Sequence, residues 1–132
     1  MAGSASNYAE NKIIDHLTGK TSFAMPSVWV GLSTTAMSTD AGTFTEVSGG
    51  SYARKSTAGA DWNAASSGSA TNANAITFTT ATGNWGTIQS AALFDASSAG
   101  NMLLWADLTA SKTVNNGDTF SFAASNFTIT LD

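Results

Sequence analysis

Residues 85–109 read WGTIQSAALFDASSAGNMLLWADLT, and their interpretation decides the fold. Two runs carrying aliphatic and aromatic side chains flank ASSAGN, residues 96–101, which are all small or turn-forming. Runs of this length, bounded by turn residues, are strands of an antiparallel hairpin. If Asp95 faces Met102, then Ala92 faces Trp105, a small side chain opposite a large one, which suits dense interlocking of neighbouring strands.

The same punctuation extends along the chain in both directions. Downstream, KTV and TFSFA are joined by NNGD, residues 115–118. Asn116-Gly117 is the pair favoured in type I′ turns, so a second hairpin is expected there. In NFTITLD, Phe127, Ile129 and Leu131 alternate with polar residues, the period of a half-buried strand. Upstream, SVWVGLS places Val28, Val30 and Leu32 on one face and Trp29, Gly31 and Ser33 on the other. YARKSTA is extended, and a further strand centres on Ile76 and Phe78. Residues 34–50 are turn-rich and read as an exposed loop. The Ala/Ser/Thr/Asn bias of residues 56–75 borders on low complexity and predicts a mobile segment unless a neighbour covers it.

One segment has a different period. Ala9, Ile13, Ile14 and Leu17 repeat at helical spacing, Asn7 and Glu10 fit a capping box with Asn in place of Ser or Thr, and Gly19 can close the end. A helix over residues 7–18 is expected, its apolar stripe lying on the β framework. With about seven strands, the chain reads as a single domain over residues 1–132. It is mainly β: an antiparallel β-sandwich or jelly-roll-like barrel with one short N-terminal α-helix.

Composition narrows the function. Charged residues make up only 11% of the 132, and 37 positions are Ser or Thr, so hydroxyls and amides wet the surface. Five basic residues against nine acidic ones leave no cationic footprint for nucleic acid. The absence of Cys removes disulfides and thiolate metal sites. MAGSASNYAENK has neither a basic n-region nor an apolar h-region, so no signal peptide is read, and no apolar run approaches the roughly 20 residues of a membrane span.

The residues that could carry chemistry each have a structural reading that outweighs it. His16 is the only histidine; its neighbour Asp15 diverges from it by about 100° on a helix and cannot orient the ring, and no G-x-S-x-G elbow supplies a serine. In the last helical turn a partly cationic imidazole instead interacts well with the macrodipole. One His and no Cys leave no zinc ligand set. NNGD reads as a turn before it reads as a calcium loop. Glu46, Asp61, Asp95, Asp107 and Asp118 include no pair singled out for glycoside cleavage. No catalytic, cofactor or metal residue is therefore assigned. Trp62 and Trp85 stand in turn-like contexts where rings stack on sugars, although packing is the commoner role.

NKIIDHLTGKTSFAMPSVWVGLST, SGGSYARKSTAGADWNAAS, ATGNWGTIQSAALFDASSAGN and VNNGDTFSFAASNFTITLD together resemble a family of small tailed-bacteriophage virion proteins often labelled tail-fibre-like. The most specific block is NKIIDHLTGKTSF; after GLST, similar sequences have a Pro- and Asp-containing loop where this chain has TAMSTDAGTF. The resemblance implies a non-enzymatic structural protein of the virion, tail-fibre-like or a head decoration component of the capsid. It implies localisation to the particle after synthesis in the host cytoplasm, and partners that are other virion proteins and its own copies in a homo-oligomer such as a trimer. Tyr8, Trp29, Met37 and Phe44 are the candidate subunit contacts. The alternative is a module that binds host cell-surface glycan through Trp62 and Trp85.

Overall fold

The computed structural model describes residues 2–131; Met1, which opens MAGSASNYAENK, and Asp132, which closes NFTITLD, lie outside it. In chain order the elements are β1 (Ala2–Ala5), α1 (Asn7–Leu17), β2 (Val28–Ser33), β3 (Lys55–Thr57) and a single 3-10 turn (Gly59–Asp61). Then come β4 (Ser69–Thr71), β5 (Ile76–Thr77), β6 (Gly86–Phe94), β7 (Met102–Val114), β8 (Ser121–Phe122) and β9 (Thr128–Thr130). The hairpin β6–β7 forms as expected, with Ala92 opposite Trp105. Its closing pair is Phe94 and Met102, because the register shifts between Leu93 and Phe94. Asp95 is thereby freed to cap the turn, its carboxylate accepting both the backbone N–H (2.7 Å) and the side-chain amide (2.9 Å) of Asn101.

That hairpin is the centre of a five-stranded antiparallel sheet ordered β1-β7-β6-β2-β3. Over its inner face lie two short antiparallel ladders, β4–β9 and β5–β8. Val30, Leu32, Ile88, Ala91, Leu93 and Leu103 of the sheet meet Ile76, Phe78, Phe120, Phe122 and Phe127 of the ladders in one continuous core. Phe78, Phe120, Phe122 and Phe127 form a chain of edge-to-face contacts with centroids 4.9–5.8 Å apart, the arrangement that aromatic quadrupoles favour. The result is a sandwich; among the described residues no sheet closes into a barrel.

The second expected hairpin does not form. Asn115–Asp118 makes the turn, with Asp118 N–H on the Asn115 carbonyl, but only Gly117 has a positive φ, +92°. A type I′ turn needs two such residues. Gly117 N–H goes instead to the Ala81 carbonyl, and Ala81 N–H to the Asp118 carbonyl. The chain therefore crosses from β7 to the other layer, where β8 pairs with β5.

The helix begins one residue earlier than Asn7 capping would place it: Ser6 is the N-cap, its hydroxyl accepting Ala9 N–H at 3.2 Å and donating to the Met102 carbonyl. Gly19, at φ +76°, closes the far end, with Gly19 N–H on the His16 carbonyl and Lys20 N–H on that of Asp15. The apolar stripe does not lie on the β framework as expected. Ser6 fastens the first turn to β7, so Ala9, 4% exposed, is the residue pressed inward. At about 100° per residue, Ile14 lies some 140° around from it, and Ile14 and Leu17 are 57% and 78% exposed.

Candidate functional site

The acidic residues that could have served as catalysts are all engaged within the chain. Asp61 accepts Ala58 N–H and the Asn74 amide, and these two donors, the backbone one foremost, hold its carboxyl below the usual range. Asp95 is lowered in the same way, first by the Asn101 side chain and then by its backbone N–H. Asp118 caps its own turn through Asn115 N–H. His16 is exposed, and its Nδ1 accepts Phe23 N–H at 3.1 Å. The ring thereby pins the loop after α1. Among the described residues it bonds neither a carboxylate nor a serine hydroxyl, and no group of three or more His, Asp or Glu is placed to hold a metal ion.

Residues 34–46, read from sequence as an exposed loop, fold over the outer face of the sheet. Asp107 on β7 accepts Met37 N–H (2.7 Å) and Ser38 N–H (2.9 Å), and Asp40 accepts the Trp105 indole N–H. Met37 is buried against Ala92, Phe94 and Trp105, with Trp29, Phe44 and Met102 half-buried around it. Three of the four candidate contact residues thus pack on one another. The fourth, Tyr8, packs against the main core, with the Lys12 ammonium 5.6 Å from its ring centroid.

A charged cluster sits beside this cover. Arg54 Nε and Nη2 grip both oxygens of Glu46 at 2.7 and 2.8 Å, and Nη1 donates to the Ala96 and Ala99 carbonyls of the β6–β7 turn. The guanidinium lies 3.5 Å from the Phe94 ring centroid. A Cβ on Gly31 would stand 2.9 Å from that ring and 3.2 Å from the Glu46 carboxylate, so only glycine leaves room. Tyr52 completes the chain, its hydroxyl accepting Leu32 N–H at 2.9 Å and donating to Glu46 Oε1 at 3.0 Å. Tyr52 and Arg54 are two residues apart on extended chain and so share a face. That spacing is a signal in the sequence by which the cluster could have been found.

Burial, with the Glu46 charge adding to it, pushes the Tyr52 phenol well above its ordinary value. A raised pKa means that the folded state holds the proton more tightly. Its contribution is therefore complete below about pH 10 and lost as pH rises beyond it. Tyr52→Phe is expected to cost about 1–2 kcal/mol at pH 7 by orphaning Leu32 N–H. The urea midpoint of that variant should fall less steeply between pH 10 and 12 than that of the parent protein; an equal slope would show that Tyr52 contributes nothing to alkaline unfolding.

Trp85 is 4% exposed, edge-on to Tyr52 and Phe78, with its indole N–H on the Gly50 carbonyl. Trp62 is half-buried, edge-on to Phe127, its N–H on Thr57 Oγ1. Both indole N–H groups are spent within the chain.

The molecule is thus a mainly β sandwich whose polar side chains serve its own turns and cover. A family model described as Podophage GP4 fiber I protein gp80 matches residues 4–130. The chain belongs to this family. No curated protein sequence matches it. The family match runs from β1 to β9, so the strap over residues 34–46, the Glu46–Tyr52–Arg54 cluster and both layers fall within the region that matches this podophage fibre family. Among the described residues no helix is long and apolar enough to cross a membrane.

Proposed function

We propose that the chain is a non-enzymatic building block on the outside of a tailed phage particle, in a tail fibre or as a head decoration, acting through contacts with its own copies and other virion proteins. The observation that carries this reading is the fibre-family match over residues 4–130. The polar chemistry supports it: carboxylates that might have catalysed a reaction are engaged with backbone N–H groups, side-chain amides or Arg54. Mass spectrometry of gradient-purified particles of the encoding phage is expected to find this polypeptide. A handful of copies per particle favours a fibre and hundreds favour decoration, whereas its absence from the particle rejects the reading.

A further inference from the structure

Asn116 is the one asparagine of the chain that a glycine follows, and the turn that carries it, Asn115–Asp118, is exposed throughout. Glycine has no Cβ to keep its backbone nitrogen away from the side chain before it, and no heavy atom lies within 4 Å of where a Cβ of Gly117 would stand. Every backbone N–H of this exposed turn is nonetheless bonded. Asn115 N–H goes to the Asp118 carboxylate and Asn116 N–H to Asn84 Oδ1, both at 2.9 Å. Gly117 N–H goes to the Ala81 carbonyl at 2.7 Å and Asp118 N–H to the Asn115 carbonyl at 2.9 Å. The bonds to Asn84 and Ala81, with Ala81 N–H on the Asp118 carbonyl, clamp the turn onto residues 81–84.

We propose that Asn116 is a site of spontaneous covalent modification, its side-chain amide lost to attack by the Gly117 nitrogen, and that the clamp onto residues 81–84 holds this reaction back in the folded chain. The Gly117 nitrogen forms a bond to Asn116 Cγ and the Cγ–Nδ2 bond breaks; ammonia leaves, carrying the proton that the nitrogen gives up. Water then opens the five-membered imide at one carbonyl or the other, leaving either aspartate or an isoaspartyl link, in which the main chain runs through the side chain. The attack requires the nitrogen within about 3–3.5 Å of Cγ and turned towards it. Donation to the Ala81 carbonyl points the N–H into the neighbouring segment and keeps its proton in place, so attack waits until the clamp opens. An isoaspartyl link lengthens the main chain by one methylene. The bonds to Ala81 and Asn84 then lose their register, and the crossover from β7 to the β5–β8 ladder loosens. The chemistry belongs to the chain alone and does not depend on the assembly reading above.

Incubation of the full chain at mildly alkaline pH, in buffer and in urea, followed by digestion and tandem mass spectrometry, tests the inference. In urea, Asn116 is expected to convert before any other asparagine. In buffer the folded chain should convert at least about tenfold more slowly, because the turn must first open locally. Asn84→Ala, at an exposed position, removes one arm of the clamp and should speed conversion of the folded chain several-fold, whereas Asn84→Asp keeps an acceptor and should leave the rate near that of the parent protein. The isoaspartyl form, separated by ion exchange, should melt below the parent protein. Another asparagine converting first in urea overturns the site. Equal rates in buffer and urea, or an Asn84→Ala rate no faster than that of the parent protein, overturn the clamp as its guard. An isoaspartyl form with an unchanged thermal midpoint overturns the loosening of the crossover.

Discussion

Replacing Asn72 with Leu is expected to lower the stability of the protein by about 2–4 kcal/mol, since the buried Phe127 N–H loses its partner at roughly 1–3 kcal/mol and two partly buried bonds to carbonyls are lost with it. Asn72 is wholly buried, and every hydrogen-bonding group it owns is in use. Its backbone N–H goes to the Phe127 carbonyl and its carbonyl receives Ser125 N–H. Its side-chain oxygen accepts Phe127 N–H at 2.8 Å, and its amide donates to the carbonyls of Asn74 and Ala123 at 2.8 and 2.9 Å. These bonds stand where the β4–β9 ladder ends and the β5–β8 ladder has not begun, so the side chain stands in for the missing rungs. Leucine preserves the volume but none of the bonds. Asn63→Leu is the control, because the Asn63 side chain makes one exposed bond, to the Thr71 hydroxyl; it should change stability by less than about 0.5 kcal/mol. Urea unfolding measures both, and an Asn72→Leu loss no larger than that of the control would refute this role.

Asn72 also shows where sequence reading stopped. It lies in the Ala/Ser/Thr/Asn-rich stretch, residues 56–75, for which mobility was expected. Composition carries no trace of a fully satisfied amide, because its partners at residues 123 and 127 are remote along the chain. The hairpin β6–β7 was legible because turn chemistry and alternation are local, and the pairing of Ala92 with Trp105 followed. The helix was legible for the same reason. β1 was not: Ala-Gly-Ser-Ala has no pattern, and it becomes a strand because β7 offers it an edge. The cover over residues 34–46 depends on a carboxylate at residue 107 meeting N–H groups at residues 37 and 38, a contact that no window of sequence contains. Both faces of β6 are consequently buried, so Ala91 and Ala92 are equally inaccessible.

The other large effect is expected at the charged cluster. Glu46→Ala should destabilise by about 3–5 kcal/mol, because it leaves a guanidinium in low-dielectric surroundings with no counter-charge; the Arg54 side chain is 5% exposed. The same change removes the acceptor of the Tyr52 hydroxyl. Arg54→Met should also be costly, since the carbonyls of Ala96 and Ala99 lose their donors and the Phe94 ring its cation. The double variant Glu46→Ala/Arg54→Met should lose less than the sum of the two single losses by about 2 kcal/mol or more, because most of the cost of each single change is the orphaned charge of the other. Additive losses in a urea double-mutant cycle would mean that the pair lies in surroundings as screened as open solvent, where such pairs contribute little. The bidentate geometry argues against that outcome: two parallel bonds fix the guanidinium plane, and its remaining nitrogen then reaches the hairpin turn with no freedom left to reorient.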